Sequence, residues 1–322
     1  MKIATLALNP VLDKTMYFGD DVKFGELNRA VAPSVTTVGG KGTNVACVLK
    51  SLGIESTAYG FVGGHNGEIF EKLLGPYGIH TDFVKTKCET RENIKIITRG
   101  GVATEFNEAG GPVEPFELGA LMGKIGCALK EIDLFFMGGS VPVGIKKDIY
   151  KVVMDMGTNT RFVIDCDGEA LKLGMAGPKR PFAIKPNQYE LEQFCGRRFD
   201  LDHNFEAGLD GIKGEIKRIY GETGVMVLCS LGEYGALYCG EEGICYQNAP
   251  KVELKGFTGA GDTLLSVFVA GCFGLFDVPR KTKSLESDAL AFAVAAASAK
   301  VQKPGTEFAS FPEMTEMYEK TK

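Results

Sequence analysis

Short apolar runs of strand-like composition alternate with helix-like patterns along most of this chain, and that alternation limits the fold more than any other feature. Strand candidates stand at 3–8, 134–137, 162–165, 182–184, 225–230 and 236–239. Helical periodicity is found at 43–52, 67–74, 115–130, 146–156, 187–194, 205–220, 263–276 and 287–301. Strands that are apolar throughout need cover on both faces, so the pattern predicts an α/β fold with a mainly parallel sheet between two helical layers. Two regions break the rhythm. Between 15 and 37, and again between 91 and 106, β-branched and aromatic residues recur around glycine turns such as Gly19-Asp20-Asp21 and Gly100-Gly101, with no helix evident.

Two glycine turns open helices far apart in the chain. The first, Gly256-Phe257-Thr258-Gly259-Ala260-Gly261-Asp262, runs directly into an apolar helix and puts one carboxylate in its first turn. Free backbone N–H groups and the positive end of the helix dipole make such a turn a site for phosphate, or for charge developing in phosphoryl transfer. Asp262 would be the base beside it; alternatively it is an acid favoured near any helix start. The second, Val38-Gly39-Gly40-Lys41-Gly42-Thr43-Asn44, offers Lys41 and Asn44 to a polar ligand. It is no Walker A loop, since Gly42 stands where Ser or Thr would hold the metal, and the G-x-G-x-x-G dinucleotide spacing is absent too.

Composition removes other classes. The 322 residues are 44% hydrophobic and 24% charged, enough for a large core, and the net charge of -5 gives no footprint for nucleic acid or an anionic membrane. Nine cysteines with no C-x-x-C pair, and only three histidines, read as reduced and mostly buried thiols of a cytoplasmic protein rather than a metal or redox site. The start has no secretory pattern, and the apolar run 264–276 is too short to span a bilayer and carries Gly271 and Gly274. H-E-x-x-H, G-x-S-x-G and zinc patterns are absent.

The two glycine turns, in this order and separation, resemble the paired signatures of the PfkB carbohydrate kinases, the ribokinase-like family, and the likeness extends over nearly the whole chain. Further segments resemble the branch that phosphorylates sugar phosphates, which holds 1-phosphofructokinase and tagatose-6-phosphate kinase. They are Leu6-Ala7-Leu8-Asn9-Pro10-Val11-Leu12-Asp13, Thr90-Arg91-Glu92-Asn93-Ile94-Lys95, Gly139-Ser140-Val141-Pro142-Val143-Gly144, Lys185-Pro186-Asn187-Gln188-Tyr189-Glu190-Leu191 and Ser230-Leu231-Gly232-Glu233-Tyr234-Gly235-Ala236. The resemblance implies a ribokinase-like three-layer α/β/α fold in one domain spanning 1–322. The interrupting segments, about 15–37 and 91–106, would form a small β lid that also serves a homodimer; an edge strand pair with a purely structural role is the alternative.

The same resemblance implies roles for individual residues. Asn9, Asp13, Gly39, Gly40, Asn44 and Ser140 would meet the sugar, while Arg91 and Lys41 would hold its existing phosphate, with Lys95 either helping or facing outward. Lys185, Asn187, Ser230, Gly232 and Gly235 would line the ATP site, and Asn187 with Glu190 would hold magnesium, partly through water; Glu190 could equally be an acid stabilising a helix start. Asp262 would take the proton from a primary sugar hydroxyl, and the amides of Gly259, Ala260 and Gly261 would stabilise the transferring group.

The chain departs from the family where Gly256-Phe257 replaces a usual Asp-Thr or Asn-Thr, where Met137-Gly138-Gly139-Ser140 replaces Ser-Gly-Ser, and where Asp165-Cys166-Asp167-Gly168 replaces Asp-Thr-Ser-Gly. These loops bear on a monovalent-cation site and on substrate identity. The expected activity is ATP-dependent phosphorylation of fructose 1-phosphate to fructose 1,6-bisphosphate, favoured over tagatose 6-phosphate by the 90–95 segment. A sensor that binds sugar phosphate without turnover is the alternative from another class, and a nucleotide-dependent dehydrogenase lacks its fingerprint.

Overall fold

A computed structural model of the chain describes residues 1–99 and 103–321. Its strands, in chain order, are β1 (Ile3–Ala7), β2 (Val11–Phe18), β3 (Val35–Gly39), β4 (Thr57–Gly63), β5 (His80–Thr86), β6 (Arg91–Thr98), β7 (Ala103–Asn107), β8 (Leu134–Gly138), β9 (Arg161–Asp165), β10 (Ala183–Ile184), β11 (Met226–Ser230), β12 (Ala236–Gly240) and β13 (Gly243–Gln247). The helices are α1 (Lys41–Ser51), α2 (Gly64–Leu74), α3 (Pro115–Ala128), α4 (Ile149–Met156), α5 (Gly168–Ala176), α6 (Gln188–Cys195), α7 (Phe205–Thr223), α8 (Ala260–Cys272), α9 (Leu285–Val301) and α10 (Phe311–Lys320).

Nine strands build one sheet in the order β13-β12-β11-β10-β9-β8-β1-β4-β5, and β3-β2-β6-β7 build a second. The large sheet is parallel from β11 to β5, and only β12 and β13 at the other edge pair antiparallel. Strand polarity within β8 shows why it needs two covers. Phe135 and Met137 join a core with Leu121, Ile125, Tyr150, Leu191 and Ile216, from α3, α4, α6 and α7. Leu134 and Phe136 join the opposite core with Val48, Leu265, Phe268, Phe292 and Tyr318, from α1, α8, α9 and α10. Each such large side chain removed from water contributes roughly 1.5–3 kcal/mol, so the sheet is stable only as the middle layer. The fold is the expected three-layer α/β/α arrangement with a separate small sheet, and no described helix is long and apolar enough to cross a membrane.

Several elements lie outside the sequence reading. The sequence patterns of strands β4, β5 and β13 and helices α5 and α10 are weak: β4 carries Gly60 in its interior and ends on Gly63, and β5 lies at a sheet edge with exposed polar positions. The small sheet begins at Val11, earlier than expected, and residues 19–34 hold no strand; Gly100-Gly101 lies outside the described residues. Helix α8 begins at Ala260, so Asp262 lies inside its first turn.

Candidate active site

The parallel strands all deliver their carboxyl ends to one edge, and the order reverses at β1, which lies between β8 and β4. Ligands in open α/β sheets bind in the crevice at that reversal. A cleft of about 580 Å³ opens there, lined among others by Asn9 after β1, Gly139 and Ser140 after β8, Asp165 at the end of β9, Lys185 and Asn187 after β10, and Ser230 at the end of β11. The small sheet supplies Asp13, Arg91, Asn93 and Lys95 to the same cleft.

Two helix N-termini converge on it. Gly42 in α1 lies so close to the backbone of β1 that an added Cβ would come within 2.7 Å of the Ala7 nitrogen, which brings the helix start hard against the sheet. Gly259, at φ 85°, caps α8 in the left-handed region that a side chain disfavours. Through these turns residues 218 apart in sequence meet: Asn44 Nδ2 donates to Asp262 Oδ2 at 2.7 Å. Asp262 is 6% exposed and Asn44 2%, so this contact is made away from bulk water. Burial, followed by the neighbouring Asp165 carboxylate, pushes the Asp262 pKa up to about 6, against the pull of Asn44, Lys41 and Lys185.

Asp165 organises the adjoining charges. It accepts from Lys41 Nζ at 2.6 Å and pairs with Lys185 Nζ at 3.1 Å, and Lys41 also stands 3.6 Å from Glu190 Oε1. Burial opposes charge on Asp165, yet the Lys185 and Lys41 ammoniums outweigh it and hold the carboxyl below its ordinary range. Burial likewise opposes charge on Lys41, but Asp165 and Glu190 raise its pKa above that of a free lysine. Lys41 was expected beside Arg91 as part of a phosphate clamp; the structure instead commits its ammonium to Asp165, unassigned from sequence, and to Glu190, read for magnesium.

On the small-sheet side, Asp13 pairs with Lys95 at 3.1 Å and accepts from Asn93 Nδ2 at 3.3 Å. Lys95 is buried and also reaches Thr258, so it does not face outward. Arg91 donates through Nε and one terminal nitrogen to the Asn9 carbonyl at 3.3 and 3.2 Å, and through the other to the Glu108 carbonyl at 2.8 Å. Each terminal nitrogen keeps an N–H to offer. Burial depresses the Arg91 pKa, with Asp13 and Glu108 opposing. Asn9 Nδ2 donates to Ser140 Oγ at 3.0 Å, which joins the two residues read for the sugar.

Asn187 and Glu190 form a reciprocal capping box at the start of α6, each bonding the other's backbone N–H at 2.8 Å. The structural role considered for Glu190 is therefore present, while Oε1 remains turned toward Lys41 in the cleft. Gly261 and Gly259 line the cleft; Gly39, Ala260, Gly232 and Gly235 do not. Gly39 lies behind Asp13, and Gly232 and Gly235 frame a short turn between β11 and β12.

Asp165, Asn93 and Thr258 were not assigned from sequence although they line the cleft. Asp165 could have been found, since it ends a strand at the sheet edge where Lys185 and Ser230 were already placed. Asn93 and Thr258 gave no signal apart from their neighbours, because their role depends on the second sheet folding back over the first.

The profile of the pfkB family carbohydrate kinases matches residues 6–314. This chain belongs to that family. It is 34% identical over 270 residues to the 1-phosphofructokinase of Borreliella burgdorferi, covering 83% of each chain. The phosphofructokinase-2 of Escherichia coli, in complex with substrates and products, superposes with a TM-score of 0.86 at 25% identity over 99% of both chains. The ribokinase of Thermotoga maritima shares the fold, with a TM-score of 0.72 at 18% identity over 99% of both chains. The protein is accordingly a phosphotransferase acting on a sugar hydroxyl, with ATP use implied by the family.

Proposed function

We propose that this kinase transfers the γ-phosphoryl group of ATP to fructose 1-phosphate, with Asp262 as general base. The observation that carries this reading is the buried Asn44–Asp262 contact at the meeting of two helix N-termini, with a carboxyl whose pKa of about 6 suits proton abstraction near neutral pH. Asn44 Oδ1 and Asn93 Oδ1 are buried and have no hydrogen-bond partner, so each can accept from a hydroxyl of the sugar. Arg91, with its spare N–H groups beside Asn9 and Ser140, supplies the charge-assisted contact that a substrate phosphate requires.

The acceptor hydroxyl would lose its proton to Asp262 and attack the γ-phosphorus in line. Lys185 and Lys41 would meet the nucleotide phosphates, and the N–H groups of Gly259, Ala260 and Gly261 would meet the transferring group. Asn187 and Glu190 fit a magnesium ion held through water, because one Glu190 oxygen stays free of the capping box and magnesium needs few protein ligands. Bound there, the ion would neutralise phosphate charge.

Resemblance to 1-phosphofructokinases and the 90–95 strand support fructose 1-phosphate over tagatose 6-phosphate. Release of ADP, followed by a coupled assay across both sugar phosphates, fructose 6-phosphate and fructose, should show the highest kcat/KM with fructose 1-phosphate. A better rate with neutral fructose would remove the clamp from the reading, and absence of ADP release with every acceptor would remove the kinase assignment. The connection between β2 and β3, where Phe24, Leu27 and Val31 are 87%, 78% and 68% exposed, supports a homodimer through the small-sheet region. Sedimentation should give twice the chain mass, with Phe24→Ser shifting it toward the monomer.

A further inference from the structure

Lys300, in the last turn of α9, is 0% exposed, yet none of the roles above uses it. Its Nζ donates to the Gly305 carbonyl at 2.9 Å, and it has no ion pair among the described residues. The other lysines of this region are matched by carboxylates, Lys95 by Asp13 and Lys185 by Asp165, each at 3.1 Å. Lys300 Cε lies 3.4 Å from where a Cβ on Gly259 would stand, which places the side chain directly against the cap of α8. The placement is fixed by backbone as well: Lys255 and Gly256, leading into the turn, donate to the Val301 carbonyl at 2.7 and 3.1 Å.

We propose that Lys300 is a positioning residue for phosphoryl transfer, a buried cation that braces the Gly259 turn from behind and adds positive charge where the transferring group is held. The proposal rests on the reading that the turn at 259–261 receives that group. An ammonium bonded only to a neutral carbonyl keeps its field, and in a water-poor interior that field acts strongly on charge developing a few ångströms away. The charged groups around it are Lys95 on β6, Asp262 on α8, and Lys303 and Glu307 in the segment after α9. Burial, then Lys95, brings its pKa down to about 8, with Glu307 and Asp262 opposing. Lys300 therefore carries charge at neutral pH and loses it as pH rises through about 8. Because folding favours its neutral form, removing the charge should not weaken the fold at pH 7.

Lys300→Met keeps the volume and deletes the charge. Its kcat should fall at least ~30-fold, KM for ATP and for fructose 1-phosphate should move less than ~3-fold, and Tm at pH 7 should be unchanged or higher. The wild-type kcat/KM should decline on the alkaline side from near pH 8, with the large ionisation enthalpy of an amine, and this limb should vanish in Lys300→Met. Near wild-type kcat with the limb retained would overturn the proposal, as would a loss of activity that merely follows a lowered Tm. If the variant does not fold, a wild-type profile without an amine-type alkaline limb overturns it, and a limb with that enthalpy sustains it. Asp262→Asn in the same assay separates the two levels: full turnover there sinks the phosphoryl-transfer reading, whereas a dead Asp262→Asn beside an unaffected Lys300→Met sinks only the role of Lys300.

Discussion

Asp262 concentrates the chemistry in one residue whose environment is set by its neighbours. Asp262→Asn should lower kcat at least ~100-fold while both substrates still bind, since it removes the base and keeps the shape; steady-state kinetics with isothermal titration of ATP would check both. In the wild type, kcat/KM should fall as pH drops through about 6, because protonation removes the base. The same shift has a stability consequence of fixed sign. Raised from 3.8 to about 6 by folding, the carboxyl favours the native state when protonated and disfavours it when ionised. Asp262→Asn should therefore have a higher Tm than wild type at pH 7.5, and the difference should shrink as pH falls through 6 toward 4. Arg91 sits at a different part of the cleft, and its loss should be felt by one substrate only. Arg91→Ala should raise KM for the sugar phosphate about 10- to 150-fold, corresponding to a charge-assisted contact of roughly 1.5–3 kcal/mol, with KM for ATP little changed. Equal weakening of both substrates would count against Arg91 as the phosphate ligand.

At the scale of elements, the site depends on how closely α1 and α8 approach the sheet edge. Gly42 has no room for a side chain against Leu6 and Ala7, so Gly42→Ala must move α1 outward. Overpacking of this kind costs about 1–3 kcal/mol, and here it would also carry Lys41 and Asn44 away from Asp165 and Asp262. We expect a lowered urea midpoint and a kcat loss larger than the fall in stability explains. A variant with wild-type kinetics would show that the close approach is not needed. Both glycine turns and both helices were legible in the sequence, because a glycine run followed by apolar helical spacing is a local signal. Strands β4 and β5 were not, since their stability comes from pairing with β1 and with each other rather than from an alternating pattern of their own.

For the molecule as a whole, the relation between the two sheets decides whether the cleft excludes water. Asp13, Arg91, Asn93 and Lys95 come from the small sheet, while Asp165, Lys185 and Asp262 come from the large one and its helices. A substrate touching both sets would draw the sheets together, and water excluded from the cleft could not compete for the phosphoryl group. Hydrogen exchange in β2, β3 and β6 should slow when fructose 1-phosphate and a non-hydrolysable ATP analogue are added together. Unchanged exchange alongside confirmed binding would rule out closure and leave the chemistry of the site intact.

The sequence by itself determined the layered α/β plan, the two glycine-capped helices, and most of the polar residues that line the cleft. Those features rest on local spacing: apolar periodicity, a glycine where backbone must turn, a polar residue just past a strand. Tertiary structure alone decided how the charges pair. Lys41 is drawn to Asp165 and Glu190 rather than left to share a substrate phosphate with Arg91, Lys95 is folded inward onto Asp13, Asp165 becomes the partner of two lysines, and Lys300 is left buried behind the glycine turn. Each of these depends on distances between residues far apart in the chain and on the exclusion of water around them, and neither is encoded in spacing along the sequence.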